Sequence, residues 1–200
     1  MTTGSLPPTL ERVVPRALES ARLVLRPLVP DDAEALFAVF GDAEAMAYWS
    51  CRPHATVEAT RAMVQALYDA CARGAAFHWT VVRREDGAVI GKAAISSWQG
   101  PNRRGDISYI LAPAAWGRGF ATEAVRLMLD FGFDVLGLHS IEAGVTPGND
   151  SSAHVLRKLG FRLEGHLKEN YWAEDRFVDS LVHGMLAREW AERRSAEARA

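Results

Sequence analysis

Residues 111–122 run Leu111-Ala112-Pro113-Ala114-Ala115-Trp116-Gly117-Arg118-Gly119-Phe120-Ala121-Thr122. A strand predicted over 105–111 ends in this segment, and a helix predicted over 119–134 begins in it. Glycines let a backbone approach an anion closely, and the first amides of a helix have no partner within it. The helix dipole adds about half a positive charge at the same place. We therefore predict that this glycine loop binds the phosphates of a ligand.

Two other phosphate-binding motifs fit the loop less well. A P-loop needs a Gly-Lys-Ser/Thr sequence, which occurs nowhere in the chain. The dinucleotide motif G-x-G-x-x-G is nearly met by Gly117, Gly119 and Thr122, and Glu142 lies near its acidic position. Its third glycine is missing, however, and the chain after residue 145 does not continue as strand–helix units. A tight turn into a helix without any ligand remains the structural alternative.

The rest of the chain indicates an α+β protein with a mixed, mostly antiparallel central sheet flanked by helices. Strands are predicted over 23–28, 76–83, 88–98, 105–111, 139–145, 161–170 and 177–187, and helices between Asp31 and Gly41, between Thr56 and Gly74, and over 119–134 and 150–159. The helix after residue 111 implies one parallel crossover, from 105 to 145. We expect a poorly ordered N-terminal tail over 1–18, a single domain over 19–187 and a C-terminal tail over 188–200.

The composition is that of a globular protein, and it excludes several classes. Of 200 residues, 48% are apolar and 24% are charged, and the net charge is −2. No global field therefore draws the chain to nucleic acid or to an anionic membrane. No apolar run approaches the ~20 residues that span a bilayer. Two cysteines form no disulfide framework, which suggests a cytoplasmic protein, and six histidines form no ligand set, so we predict no metal.

Several segments together resemble the GNAT N-acetyltransferase superfamily, and within it the Rim-type (RimJ/RimL-like) ribosomal-protein-alanine acetyltransferases. The segments lie in the family's order and at its spacing, between about residues 20 and 187. They are RLVLRPL at 22–28, DDA at 31–33, GDISYILAP at 105–113, WGRGFATEA at 116–124, HSIEA at 139–143, PGNDSS at 147–152 and LRKLGFRLEG at 156–165. Any one segment is weak evidence, whereas the ordered set is specific.

The resemblance implies the GNAT fold, acetyl-CoA as cofactor and a primary amine as acceptor. We expect the acceptor to be a protein N-terminal α-amine, as in the Rim-type branch. A small-molecule amine, such as an antibiotic or a polyamine, is the alternative within the same chemistry. A non-catalytic acyl-CoA-binding module is the alternative outside it. No nucleic acid or membrane partner is expected, and the chain is expected to be a monomer or a homodimer.

The resemblance also assigns the cofactor-binding residues. The diphosphate of acetyl-CoA falls on the loop that contains Trp116, Gly117, Arg118, Gly119, Phe120, Ala121 and Thr122. The pantetheine arm pairs along Ile110, Leu111 and Ala112 like an added strand. A backbone amide near Ile110 or Leu111 then stabilises the oxyanion, so no side chain is required for that step.

Three positions depart from the family's usual pattern. Trp116 stands where Gln or Arg is usual, Asp106 where Glu is common, and Leu156 where many members have a tyrosine acid. We expect Asp106 to be the general base, acting through water, because an α-amine with a pKa of about 7.7–8.0 needs only a weak base. An exposed strand carboxylate without a role is the alternative for Asp106. Rival bases in or near the last two strands are Glu169, Glu174, Asp175 and Asp179.

Ser152 and Asn149 lie at the start of the helix predicted over 150–159. In the Rim-type branch the position of Ser152 offers a hydroxyl near the thioester sulfur, which makes Ser152 the candidate catalytic acid and a cofactor ligand. Asn149 is a further candidate cofactor ligand. Plain helix capping is the alternative explanation for both residues. A thiol with a pKa of about 8.5 leaves readily, so a strong acid is dispensable.

Overall fold

One mixed sheet of eight strands forms the centre of the structure, a computed structural model that describes residues 16–173 and 175–199. The strands are β1 (Leu18–Glu19), β2 (Leu23–Pro27), β3 (Phe77–Arg83), β4 (Val89–Gln99), β5 (Arg104–Leu111), β6 (Ser140–Val145), β7 (Arg162–Ala173) and β8 (Arg176–Leu186). Their order across the sheet is β1-β2-β3-β4-β5-β6-β8-β7. Among these strands β5 and β6 are the one parallel pair, which confirms the predicted α+β fold with a single parallel crossover.

Six α-helices accompany the sheet in the described ranges. They are α1 (Ala33–Phe40), α2 (Ala43–Met46), α3 (Val57–Ala72), α4 (Phe120–Asp130), α5 (Asp150–Leu159) and α6 (Ala187–Glu197). The helix predicted over 119–134 is divided, because α4 ends at Asp130 and a π-helical turn continues it from Phe131 to Val135. None of the helices in these ranges is both long and apolar enough to cross a bilayer.

The two chain ends are described in part. Residues 1–15 lie outside the described residues, and β1, which pairs with β2, begins at Leu18, the last residue of the expected N-terminal tail of 1–18. After residue 187 the chain forms α6 where a C-terminal tail over 188–200 was expected. Trp190 is the reason, because it is fully buried and its indole nitrogen donates to Asp130 Oδ1 at 2.8 Å. The packed part of the chain therefore extends past residue 187.

The two faces of the sheet carry separate cores. Helices α4 and α5 lie on one face, here termed the α4 face, where Trp79 and Met128 are fully buried. Helices α1 and α3 lie on the other face, here termed the α1 face, where Phe40 and Val64 are fully buried. Successive side chains of a strand point to opposite faces, and β5 accordingly contributes Ile107 and Leu111 to the core of the α4 face and Ile110 to that of the α1 face.

Strands β5 and β6 separate after a short paired stretch. Residues 104–106 of β5 pair with residues 140–142 of β6, and the pairing stops there. On its other side β5 stays paired with β4 as far as Leu111. One edge of β5 is therefore unpaired from Ile107 to Leu111, and a gap opens in the sheet between β5 and β6. We refer to this opening as the β5–β6 gap.

Candidate active site

The glycine loop turns into α4 through two glycines in the left-handed region. Gly117 has φ +70° and Gly119 has φ +80°, which residues with a Cβ rarely adopt. Gly119 is the N-cap of α4, and no side chain caps the helix there. A Cβ placed on Gly117 would meet no atom within 4 Å. The loop therefore needs glycine for its backbone conformation, and it is open to a ligand on its outer side.

The backbone amides of this loop are left without acceptors. The Trp116 amide donates to Pro113 O at 3.0 Å, and the Glu123 amide donates to Gly119 O at 3.1 Å. Between them, the six amides of residues 117–122 have no acceptor among the residues that the structure describes. They lie at the positive end of the α4 dipole. Six free donors at a helix start form a site suited to a phosphate group.

Arg22 holds the loop from the side of β2. Its guanidinium donates to Arg118 O at 2.9 Å and pairs with Glu123 at 2.5 Å. Desolvation would raise the pKa of Glu123, but hydrogen bonds from Ser20 and Arg22 outweigh it and lower that pKa. The guanidinium groups of Arg22 and Arg118 also lie 4.9 and 5.0 Å from the centre of the Phe120 ring. Arg22 therefore connects the loop both to the first turn of α4 and to the start of β2.

The free edge of β5 offers backbone groups to the β5–β6 gap. The Ala112 amide donates to Ile90 O at 2.9 Å, so it points toward β4. Because amides alternate in direction along a strand, the Ile110 amide also points toward β4, whereas the Leu111 amide faces the gap. Trp116 Nε1 already donates to Leu111 O at 2.8 Å. Of the two amides considered from the sequence, Leu111 is therefore the one open to a ligand in the gap.

Ser152 and Asn149 begin α5 on the α4 face beside the gap. Asn149 Oδ1 accepts from the Ser152 amide at 3.1 Å and from Ser151 Oγ at 2.9 Å, so the expected helix capping is present. Ser152 Oγ lies 2.9 Å from the hydroxyl of Tyr109 on β5. Burial raises the pKa of Tyr109 to about 12, against the opposing effect of its bond to Ser152. Asn149 uses its carbonyl oxygen for the cap, which leaves its amide nitrogen as a donor.

Asp106 lies where the gap begins. It pairs with Ser96 of β4 and Glu142 of β6 in the sheet register, and its side chain points to the α1 face. Burial raises the pKa of Asp106, with hydrogen bonding from Ser97 and the charge of Arg104 opposing the rise. A carboxylate with a raised pKa is a stronger base than an exposed one. Asp106 and Ser152 thus approach the gap from opposite faces of the sheet.

Comparison with known proteins identifies the family. Residues 22–162 match the family model described as "Acetyltransferase (GNAT) domain". The chain belongs to the GNAT acetyltransferase family. This membership, together with relatives named N-acetyltransferases, makes the protein an acetyl-CoA-dependent N-acetyltransferase. It also disfavours the non-catalytic alternative.

Three relatives show how far the similarity of this acetyltransferase extends. A Bacillus licheniformis protein named "Uncharacterized N-acetyltransferase p20" is 35% identical over 174 residues, which cover 87% of this chain and 98% of that protein. The structure of a ribosomal-protein-S5-alanine acetyltransferase from Vibrio fischeri superposes with a TM-score of 0.75 at 25% identity, covering 87% and 98% of the two chains. A spermidine N-acetyltransferase from Vibrio cholerae, solved in complex with CoA and spermine, gives 0.74 at 25% identity, covering 86% and 99%.

The site of this acetyltransferase fits its cofactor on two independent observations. The six free amides of residues 117–122 match the charge and the acceptor oxygens of a diphosphate. The free edge of β5 matches the amide groups of a pantetheine arm, which pairs with a strand edge as a peptide does. The loop and the gap lie at the same end of β5, because the loop leaves that strand at Leu111.

Four acidic residues rival Asp106 as the base: Glu169, Glu174, Asp175 and Asp179. Asp179 accepts from the Glu169 amide at 2.9 Å and lies 2.6 Å from His166 Nε2, and these two contacts lower its pKa. Glu169 and Asp175 are exposed on β7 and on the turn that follows it, and Glu174 lies outside the described residues. Asp179 is half-buried like Asp106, but its pKa is lowered whereas that of Asp106 is raised, so Asp106 is the stronger base of the two.

Sequence reasoning missed three tyrosines beside the gap. Tyr109 contacts Ser152, as described above. Thr146, which follows β6, bonds to the Tyr171 hydroxyl at 2.5 Å and to the carbonyl of Tyr48 at 3.3 Å. The segment after α2 and the far half of β7 therefore meet at the end of β6. The alternation of residues 105–111 did place Tyr109 on the same face as Leu111, but no local pattern indicates its partner on α5.

Proposed function

We propose that this acetyltransferase modifies a protein N-terminal α-amine, as the Rim-type (RimJ/RimL-like) ribosomal-protein-alanine enzymes do. The proposal is carried by Asp106, a half-buried carboxylate at the start of the gap for which the described residues provide no salt-bridge partner. Its register neighbour Glu142 is also half-buried, but it is paired with Arg104, so it adds little unpaired negative charge that would attract a polycation. Neutralising an α-amine at pH 7 costs roughly 1–1.4 kcal/mol, against about 4.6 for a lysine-like amine. One moderately basic carboxylate is therefore sufficient to deprotonate an α-amine.

Each group of the site has one role in the proposed mechanism. Acetyl-CoA supplies the acetyl group as an activated thioester. The amides of 117–122 hold its diphosphate, and Asn149 donates to the cofactor through its amide nitrogen. The Leu111 amide stabilises negative charge on the thioester oxygen. Asp106 takes the proton of the acceptor amine through a water molecule, and the hydroxyl of Ser152 faces the departing sulfur.

Asp106→Asn is expected to lower kcat/KM for an N-terminal peptide about a hundredfold at pH 7, because a positioned base contributes about 10²–10⁴-fold. The loss is expected to shrink above pH 9, where an α-amine with a pKa near 8 is already neutral. The measurement is kcat/KM from pH 6 to pH 10 for both enzymes. Asp179→Asn is the matched control and should leave the profile unchanged. A loss of equal size at every pH would show that Asp106 is not the base.

A small amine such as a polyamine is the second candidate acceptor, and the spermidine acetyltransferases among the relatives favour it. Thiol release from acetyl-CoA, measured with N-terminal peptides, polyamines and aminoglycosides, separates the two. We expect peptides to exceed spermidine at least tenfold in kcat/KM, with mass spectrometry locating the acetyl group on the α-amine. A preference for spermidine would replace the peptide assignment by the polyamine assignment.

We also propose a cellular location, a domain extent and an oligomeric state for the enzyme. Cys51 and Cys71 are both free thiols, which supports a cytoplasmic location because the cytoplasm keeps thiols reduced. We assign residues 19–187 to one acetyltransferase domain, and we add α6 to it because Trp190 is buried. The domain is proposed to act as a monomer or a homodimer, and light scattering on the purified chain distinguishes the two.

A further inference from the structure

Tyr109 and Ser152 join β5 to α5 beside the gap. Their hydroxyl oxygens lie 2.9 Å apart, although the residues are 43 positions apart in the chain. The carbonyl of Ser152 is more distant from the phenol, at 3.4 Å. In the part of the chain that the structure describes, neither hydroxyl has another side-chain partner. The contact therefore fixes the orientation of both groups relative to each other.

Tyr109 is the donor in this pair for a chemical reason. A phenol, with an ordinary pKa of about 10, is a far stronger acid than an aliphatic alcohol and so the better hydrogen-bond donor. Burial raises the pKa of Tyr109 further, to about 12, so the phenol keeps its proton throughout the neutral range. The phenol also cannot be the net proton donor to the thiolate of a thiol with a pKa of about 8.5. The equilibrium constant for that proton transfer is unfavourable by a factor of more than about 10³.

We propose that Tyr109 is a positioning residue for Ser152: its phenol donates to Ser152 Oγ and so turns the single serine proton toward the sulfur that leaves. This inference rests on the proposed acetyl transfer. The amine nitrogen bonds to the acetyl carbon and the carbon–sulfur bond breaks. The electron pair of the broken bond stays on sulfur, and the Ser152 hydroxyl donates a hydrogen bond to that charge without losing its proton. The sulfur then takes a proton from solvent, while the proton of the amine leaves through Asp106 on the other face.

Without Tyr109 the serine would turn elsewhere. A serine inside a helix tends to bond to the carbonyl three or four residues earlier, which here means Asn149 or Gly148. Asn149 Oδ1 accepts from the backbone amide of Ser152 and not from its hydroxyl, so the cap leaves the hydroxyl free to rotate. The bond from Tyr109 opposes that rotation. The position of Tyr109 on β5, two residues before Leu111, brings the serine close to the backbone that receives the thioester.

The test is a double-mutant cycle with Tyr109→Phe and Ser152→Ala. Tyr109→Phe keeps the ring and removes the hydroxyl, and it is expected to lower kcat about tenfold, the effect of one hydrogen bond that acts as charge develops. KM for acetyl-CoA should stay within about twofold. Ser152→Ala should lower kcat by a similar factor, and the double variant should be no slower than the slower single variant. Tyr68→Phe, on α3, is the matched control and should change nothing.

Several results would overturn the inference. Single effects that multiply in the double variant would mean that the two hydroxyls act independently. A loss confined to KM, or an unchanged kcat in either single variant, would remove the positioning role. An alkaline limb of the pH–rate profile that disappears in Tyr109→Phe would make the phenol a proton donor instead. The cycle uses whichever amine the enzyme acetylates, so an error in the proposed acceptor leaves its outcome readable.

Discussion

Gly119→Glu is expected to abolish acetyl-CoA binding while the fold persists. Gly119 has φ +80°, so any side chain there costs roughly 1–2 kcal/mol of stability. A Cβ at this position would lie 3.5 Å from Arg22, which leaves room for the substitution. The new carboxylate would stand beside the free amides of 117–122, and two like charges at about 4 Å repel by about 4 kcal/mol near a protein surface. Calorimetry should therefore show affinity reduced about a thousandfold.

Two controls separate charge from backbone strain in this experiment. Gly119→Gln places a side chain of the same shape without the charge, and it should bind coenzyme A more tightly than Gly119→Glu does. Gly137→Glu carries the same charge and the same kind of strain away from the loop, since Gly137 has φ +64° and open space around it. This variant should bind as the wild type does. Undiminished affinity in Gly119→Glu would remove the loop from the cofactor site.

Lys92→Met is expected to stabilise the protein by about 2 kcal/mol at pH 7. Lys92 lies on β4 with 3% of its surface exposed, and its ammonium nitrogen lies 5.9 Å from the centre of the Trp49 ring. Burial lowers its pKa from 10.5 to about 8, and the nearby Cys71 only partly opposes this. The lowered pKa means that the charged form of Lys92 reduces the free energy of unfolding by about 3 kcal/mol at pH 7. Methionine has a similar length and no charge, and the lost cation–π contact offsets part of the gain.

The same substitution has a defined pH dependence. Between pH 8 and pH 10.5 the folded wild type has released the Lys92 proton while the unfolded chain still binds it, so the wild type gains stability as the pH rises. The advantage of Lys92→Met should therefore be full below pH 8 and small at pH 10.5. Denaturant unfolding of both proteins at pH 7 and pH 10 measures it. Lys168→Met, on exposed β7, is the matched control. An advantage that is equal at both pH values would show that Lys92 is not a buried charge.

Local patterns predicted the elements that carry the proposed cofactor site. Gly117 and Gly119 between a strand and a helix indicated the loop, because glycine, proline and the start of an apolar helical face are signals within a few residues of one another. The helix predicted over 150–159 agrees with α5 at both ends, since Asn149 caps it and Gly160 ends it. These signals are local, so a single sequence contains them in full.

Contacts between distant segments could not be predicted in the same way. The bond from Tyr109 to Ser152 joins residues 43 positions apart, and the pair of Arg22 with Glu123 joins residues 101 apart. Trp190 is buried where its indole nitrogen donates to Asp130, at the end of α4. Because that partner is 60 positions away in the chain, residues 188–200 considered alone indicate only a polar tail. Strand order and register decide which side chains meet across a sheet. Neither can be read from local patterns in a single sequence.

We propose that the free amides of residues 117–122 bind the diphosphate of coenzyme A. A crystal structure of the chain with coenzyme A tests it most directly. We expect the diphosphate oxygens within about 3 Å of several of these amides, with the pantetheine arm along the free edge of β5. Coenzyme A bound at another place would contradict this assignment. A loop filled by the protein's own side chains, with the ligand at a different site, would contradict it as well.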